Sequence, residues 1–286
     1  MRDQKNGKIF VKGFEHLNTW FSKAPEPSDK NYNKLEICRI FFNALILILL
    51  IFTNLIAFVP LKFLESKFNL NRRSYFIVNF VSRLALRVLK IDYNIYGEPM
   101  KKNGCIVSNH VSWLDIFSLS AVLNIVFVSK SDVSQWFGIG ILAKIVGVLF
   151  INRDKTQIIA NNQSLEDRLF LGERLLFFPE GTSSDGLQVL PFKSTLFQAL
   201  IEADKKLLDL YVQGVTIRYS APEGEDKRFY GWWGDISFKD HLFRILSNKK
   251  GGKIDLFFHS PRKVSEFMGR KDMSRSLEQE IASILT

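Results

Sequence analysis

The chain has 286 residues, 47% of them hydrophobic and 26 of them Phe, enough to bury a large core. A net charge of +10 and a pI of about 9.5 admit nucleic acid, an anionic membrane or an acidic substrate as partner. No zinc-finger spacing, RNA-binding aromatic signature or long Lys/Arg block sets nucleic acid in front, and two cysteines, Cys38 and Cys105, make no disulfide framework.

Residues 1–33 are polar and basic, with Pro25 and Pro27 near their end, and read as a partly ordered arm without a usable motif. From Phe41 to Leu61 no residue carries a charge. That run is long enough to cross a hydrocarbon core of roughly 30 Å at 1.5 Å per residue. The polar, basic stretch ahead of it and the lack of a small-residue cleavage site argue against a cleaved signal peptide. Asn43, Asn54 and Pro60 weaken the run, and Pro60 is expected to end or bend the helix. Lys34 and Arg39 on one side balance Lys62 and Lys67 on the other, so charge favours neither a span nor a re-entrant hairpin. Residues 75–91 are amphipathic: Phe76, Phe80, Leu84 and Val88 form a stripe, with Arg83, Arg87 and Lys90 elsewhere. Such a helix lies in a membrane interface or packs on a core; the pattern suits both. Residues 34–91 are thus expected to anchor the chain and 92–286 to form the soluble domain, with a C-terminal extension from 221.

After residue 90, β-rich runs recur at 91–97, 104–108, 125–129, 148–152, 175–178, 211–219 and 253–258. Helical stretches alternate with them at 112–123, 139–146, 156–171, 194–208 and 274–285. The alternation predicts an α/β fold: a mixed, mainly parallel sheet flanked by helices, preceded by a membrane-embedded helical segment.

The most informative stretch is His110-Val111-Ser112-Trp113-Leu114-Asp115. Imidazole titrates near neutral pH and suits general-base work, and a carboxylate on its other nitrogen fixes the tautomer. Five residues apart on a regular helix point about 140° apart, since each step turns about 100°. The pair therefore meets if His110 lies in a strand-to-helix turn and Asp115 in the first helical turns, as the cap-type Ser108, Asn109 and Ser112 suggest. A lone His near an Asp is also common without any function. Phe178-Pro179-Glu180-Gly181-Thr182-Ser183-Ser184 ends a strand in groups able to hold phosphate or glycerol oxygens, or is a plain turn. Gly147 to Arg153 delivers a guanidinium at a strand end, suited to phosphate or simply solvated. Val212 to Tyr219 is an apolar strand. His110, Arg153 and Glu180 follow strands, where clefts of open α/β sheets form.

Taken together, SNHVSWLDI, VSKSDVSQWFGIG leading to GVLFINR, FPEGTSSDG followed by LPFKSTLF, and VQGVTIRY resemble in order and spacing the glycerolipid acyltransferase family typified by bacterial 1-acylglycerol-3-phosphate acyltransferase. The resemblance covers roughly residues 95–220. It implies direct acyl transfer from acyl-CoA or acyl-acyl carrier protein to a lysolipid hydroxyl, with neither a cofactor nor a metal. It implies His110 as base, Asp115 as its orienting group, Arg153 on acceptor phosphate, Glu180, Gly181 and Thr182 around the acceptor, and Lys193 as a weaker phosphate contact. Membrane lipids and the acyl donor are the implied partners, and the cytoplasmic face of a bacterial inner membrane the implied location. The leading expectation is conversion of 1-acyl-sn-glycerol-3-phosphate to phosphatidic acid. However, members acting on lysophosphatidate carry Arg after Glu-Gly-Thr, where this chain has Ser183. The block GTSSDG followed by VLPF, together with Tyr230-Gly231-Trp232-Trp233-Gly234-Asp235 and His241, looks similar to the bacterial branch that includes lyso-ornithine lipid acyltransferases, the second expectation. A thioesterase and a non-catalytic lipid-binding protein are the competing classes. Cys105, in a strand interior, reads as a buried structural thiol.

Overall fold

The computed structural model describes residues 20–22, 31–68, 74–136, 138–152, 158–207 and 209–285. An eight-stranded sheet runs β1-β7-β6-β2-β5-β3-β4, with β8 beside β6. The strands are β1 (Ile91–Tyr96), β2 (Gly104–Ser108), β3 (Val126–Lys130), β4 (Leu149–Ile151), β5 (Leu175–Phe177), β6 (Tyr211–Ser220), β7 (Gly252–Phe258) and β8 (Arg262–Lys263). Pairing is parallel except where β6 meets β7 and β8. The sheet is mixed and mainly parallel. β2, β3, β4, β5 and β6 all run the same way, so their carboxyl ends share one edge.

Strand β2 shows why the sheet is double-sided. Its alternate side chains point to opposite faces: Ile106 joins a core with Leu86, Leu114, Ile217 and Ile245, while Cys105 and Val107 join another with Leu165, Phe197 and Leu277. The first core is covered by α2 (Tyr75–Val88), α3 (Leu114–Ser120) and α7 (Phe238–Ser247), the second by α5 (Ile158–Phe170), α6 (Thr195–Leu207) and α8 (Arg270–Ala282). Cys105 is buried, and burial pushes its thiol far above the usual range. The segment after residue 220 contributes to this core: β7 lies between β1 and β6.

Helix α1 (Lys34–Phe68) starts in a capping box, Asn33 Oδ1 accepting from Glu36 N–H and Glu36 Oε2 from Asn33 N–H, both at 3.0 Å. Of the two effects expected of Pro60, ending the helix does not occur, and α1 runs on to Phe68. One missing N–H bond is a small loss among the remaining turns of a 35-residue helix. The polar side chains are also satisfied: Asn54 Nδ2 donates to Leu50 O at 2.8 Å and Asn43 Nδ2 to Leu246 O at 2.9 Å. Glu65, buried, accepts from both the N–H and the hydroxyl of Ser74 at 2.6 Å, which ties the end of α1 to the start of α2.

Helix α1 is bonded to the domain near both ends. Arg39 donates to Ser247 O and Asn43 to Leu246 O in the last turn of α7, while Lys62 Nζ donates to Ile145 O, 2.7 Å away, at the end of α4 (Ile139–Val146). These carbonyls are the ones a helix leaves without intrahelical donors. In α2 the face turned inward is Ser82, Ala85 and Leu86, and Phe76 and Phe80 point outward. Arg83 Nε donates to Ala121 O at 2.8 Å, so its charge closes the end of α3.

Candidate active site

Strand β2 is followed by the fully buried Asn109, whose amide accepts from Ile217 N–H at 2.7 Å and donates to Ile217 O at 2.9 Å. That pairing locks the following turn to β6. His110 comes next, outside any helix, and Asp115 lies in the first turn of α3. His110 Nδ1 is 2.7 Å from Asp115 Oδ2. The same oxygen accepts the backbone N–H groups of Val111 (2.7 Å) and Ser112 (3.1 Å). Asp115 Oδ1 accepts from Tyr219 Oη at 2.7 Å. Backbone N–H groups can only donate, so Oδ2 acts as acceptor and the imidazole proton sits on Nδ1. Nε2 then carries a free lone pair. Asp115 is wholly buried, whereas the His110 side chain keeps 21% of its surface exposed.

The turn around His110 is held from three directions. Phe178 stacks on the ring, with centroids 4.1 Å apart and planes 12° from parallel. The carbonyl of His110 accepts from Ser184 N–H (3.0 Å) and Ser184 Oγ (3.1 Å). Its N–H donates to Glu180 Oε1 at 2.9 Å. Glu180 is buried, and Oε2 has no partner among the described residues. Burial pushes its carboxyl well above the usual range, offset in part by the N–H groups of His110 and Leu190. Glu180 therefore sits against the His110 backbone, shielded from solvent.

Gly181 has φ +71°, and a Cβ there would lie 2.8 Å from Lys193 Nζ. The glycine allows both the left-handed turn and the close approach of the lysine. Lys193 is thereby brought to the Glu180–Gly181 turn. Thr182 is half-buried beside it. The hydroxyl of Ser183 donates to Trp232 O at 2.5 Å, and Trp232 N–H donates to Val111 O at 3.0 Å. Arg153 lies outside the described residues, so its place relative to His110 is not part of this geometry. No cluster of three or more His, Cys, Asp or Glu side chains suited to a metal occurs among the described residues.

His241, on α7, belongs to the wall behind this turn. Its Nδ1 accepts from Trp113 Nε1 at 2.8 Å, and Nε2 faces Tyr230 O at 3.2 Å. Burial, with Arg244 nearby, pushes its pKa down to about 3, so it is a neutral structural imidazole. Sequence reasoning passed over Asn109 as a brace, Phe178 as a stacking partner and Tyr219 as a donor. Only Tyr219 carried a visible signal, a phenol near the carboxyl end of a strand that follows the motif order.

A fold with a buried carboxylate fixing a partly exposed imidazole at the strand ends defines a class of protein whose geometry suits proton transfer. The comparisons specify that class. A family described as Acyltransferase matches residues 91–218. A lyso-ornithine lipid O-acyltransferase of Rhodobacter capsulatus is 47% identical over 209 residues, 72% of this chain and 75% of that protein. A 1-acyl-sn-glycerol-3-phosphate acyltransferase of Neisseria meningitidis is 38% identical over 189 residues, 65% of this chain and 71% of that one. The crystal structure of the 1-acyl-sn-glycerophosphate (LPA) acyltransferase PlsC from Thermotoga maritima superposes with a TM-score of 0.55 at 19% identity, over 86% of this chain and 96% of the other. The chain belongs to the Acyltransferase family, and it is an enzyme that acylates lysolipids.

Proposed function

We propose that the chain transfers an acyl group from an acyl thioester, acyl-CoA or acyl-acyl carrier protein, to the hydroxyl of a lyso-ornithine lipid. The observation that carries the chemistry is the 2.7 Å contact of His110 Nδ1 with a carboxylate oxygen already holding two backbone N–H groups. His110 Nε2 takes the hydroxyl proton as the oxygen attacks the thioester carbonyl. The tetrahedral adduct then collapses, the carbon–sulfur bond breaks, and the imidazolium returns its proton to the thiolate. Holding both substrates together supplies the positioning that makes a side-chain nucleophile unnecessary.

The acceptor assignment rests on two supports. Of the relatives reported, the lyso-ornithine lipid O-acyltransferase of Rhodobacter capsulatus shares the most identical residues, 47% against 38% for the Neisseria enzyme. Moreover, where a guanidinium would serve a phosphomonoester, Ser183 spends its hydroxyl on Trp232 O. Lysophosphatidate is the second reading, favoured by Lys193 beside Gly181 and by the Neisseria relative. A panel of lyso-ornithine lipid, lysophosphatidate and other lysophospholipids with one labelled donor in one detergent tests this. Preference for lyso-ornithine lipid is expected, and preference for lysophosphatidate overturns the acceptor assignment. Free fatty acid as the main product would make the chain a thioesterase, and no turnover a binding protein. His110→Ala should lower turnover by roughly 10²–10⁴, the usual worth of a general base. Near-normal turnover in that variant ends the base assignment.

We further propose that the enzyme works on the bilayer of a bacterial inner membrane, facing the cytoplasm. Phe41, Phe52 and Ile56 on α1 and Phe76 on α2 are exposed and supply an apolar surface for it.

A further inference from the structure

We propose that Tyr219 is a positioning residue of the His110–Asp115 pair, holding by its hydroxyl the carboxylate oxygen that the imidazole does not use. The inference rests on the reading of His110 as the base. Asp115 presents two oxygens. Oδ2 is taken by His110 Nδ1 and the N–H groups of Val111 and Ser112, all from its own loop. Oδ1 receives Tyr219 Oη from a different element, 104 residues away in sequence, at 2.7 Å. The tyrosine is aimed by the sheet: Asn109 clamps both polar groups of Ile217, two residues before it on β6, and Tyr219 pairs with Ile254 of β7. Tyr230 packs against its ring, with centroids 5.2 Å apart.

The consequence is mechanical and electrostatic. With both oxygens held, the carboxylate cannot rotate about its Cβ–Cγ axis, and the imidazole keeps its direction. A hydroxyl donating to Oδ1 also draws off part of the charge that the imidazolium meets during the reaction. The titratable groups facing Asp115 are His110 from its own loop, Tyr219 from β6 and Glu180 from the turn after β5. Burial and the Asp115 charge push the Tyr219 hydroxyl well above its usual range, so it remains a donor throughout the working pH range.

The test compares Tyr219→Phe with the unchanged enzyme on the full chain, using the best acceptor and a saturating acyl donor. The expected result is kcat lower by about tenfold, as for loss of one hydrogen bond to a charged group, with KM for acceptor nearly unchanged. The acid limb of the kcat/KM profile should move to higher pH, because the unshared carboxylate holds the imidazolium proton more tightly. In an Asp115→Asn background, adding Tyr219→Phe should cost little more, since the two act as a unit. Unchanged kcat and pH profile, or losses that multiply in the double variant, overturn the proposal. An acid limb unmoved while kcat falls in step with the folded fraction assigns Tyr219 to stability alone and also overturns it. The base reading fails separately, by activity surviving in His110→Ala.

Discussion

Glu180 bears the clearest single-residue conflict in the site: a carboxyl group kept from water and bonded through one oxygen only. Its pKa in the folded protein is raised above the usual carboxyl value, chiefly by burial. A carboxyl shifted that way favours the fold fully below its ordinary pKa, and this contribution is lost as pH rises toward the folded value. Glu180→Gln keeps an oxygen for His110 N–H and removes the charge. Its unfolding midpoint should exceed that of the unchanged protein by about 2–4 °C at pH 8, the shift expected for roughly 1 kcal/mol in a domain of this size. The difference should vanish near pH 4.5. Thermal unfolding in one detergent across that pH range checks it, and a gap independent of pH would locate the effect elsewhere.

The turn after β5 and the segment around Trp232 form one unit, joined by Ser183 Oγ to Trp232 O, Trp232 N–H to Val111 O and the close passage of Gly231 over Asp185, where a Cβ would lie 2.7 Å from its carbonyl oxygen. Ser183→Arg should break the first tie and offer a guanidinium at the turn. The expected outcome is a rise in the ratio of lysophosphatidate to lyso-ornithine lipid turnover. Ser183→Ala, which only breaks the tie, should lower both alike. An unchanged ratio in the Arg variant would mean that this turn does not meet the acceptor head group. The pieces of this unit were unequally legible. β2, the turn at His110 and the start of α3 follow from an apolar run meeting cap-type residues, and β5 stops where Pro179 withdraws an N–H. α7 was legible yet passed over: Ser237 caps it, and Phe238, Leu242 and Ile245 recur at helical spacing just after a loop of Trp and Gly. The use of Asn109 escaped too: a side chain that mimics a strand partner to Ile217 looks, in one dimension, like any helix cap. Tyr219 and Asp115 meet only because β6 lies beside β2, and strand order is a non-local property that spacing does not encode.

The whole molecule decides how it meets a bilayer. Length and apolarity admit α1 as a span, and the flanking charges give no direction. The tertiary bonds do: Arg39 and Asn43 hold the end of α7, and Lys62 holds the end of α4. Between Arg39 and Lys62 the helix covers roughly 35 Å at 1.5 Å per residue, about the thickness of a hydrocarbon core. Crossing it would put the two ends in opposite aqueous phases, whereas both are bonded to one domain. Helix α1 is therefore expected to lie along one leaflet, with Phe41, Phe52 and Ile56 in the acyl chains. Cys38 provides a natural reporter near its start, being exposed while Cys105 is buried. A second reporter comes from Lys67→Cys near its end. In sealed inside-out vesicles a membrane-impermeant maleimide added outside should label both positions, and in right-side-out vesicles neither until detergent is added. Labelling of one end in each orientation would mean a true span, and the bonds from Arg39 and Lys62 would then have to break when the protein enters the membrane.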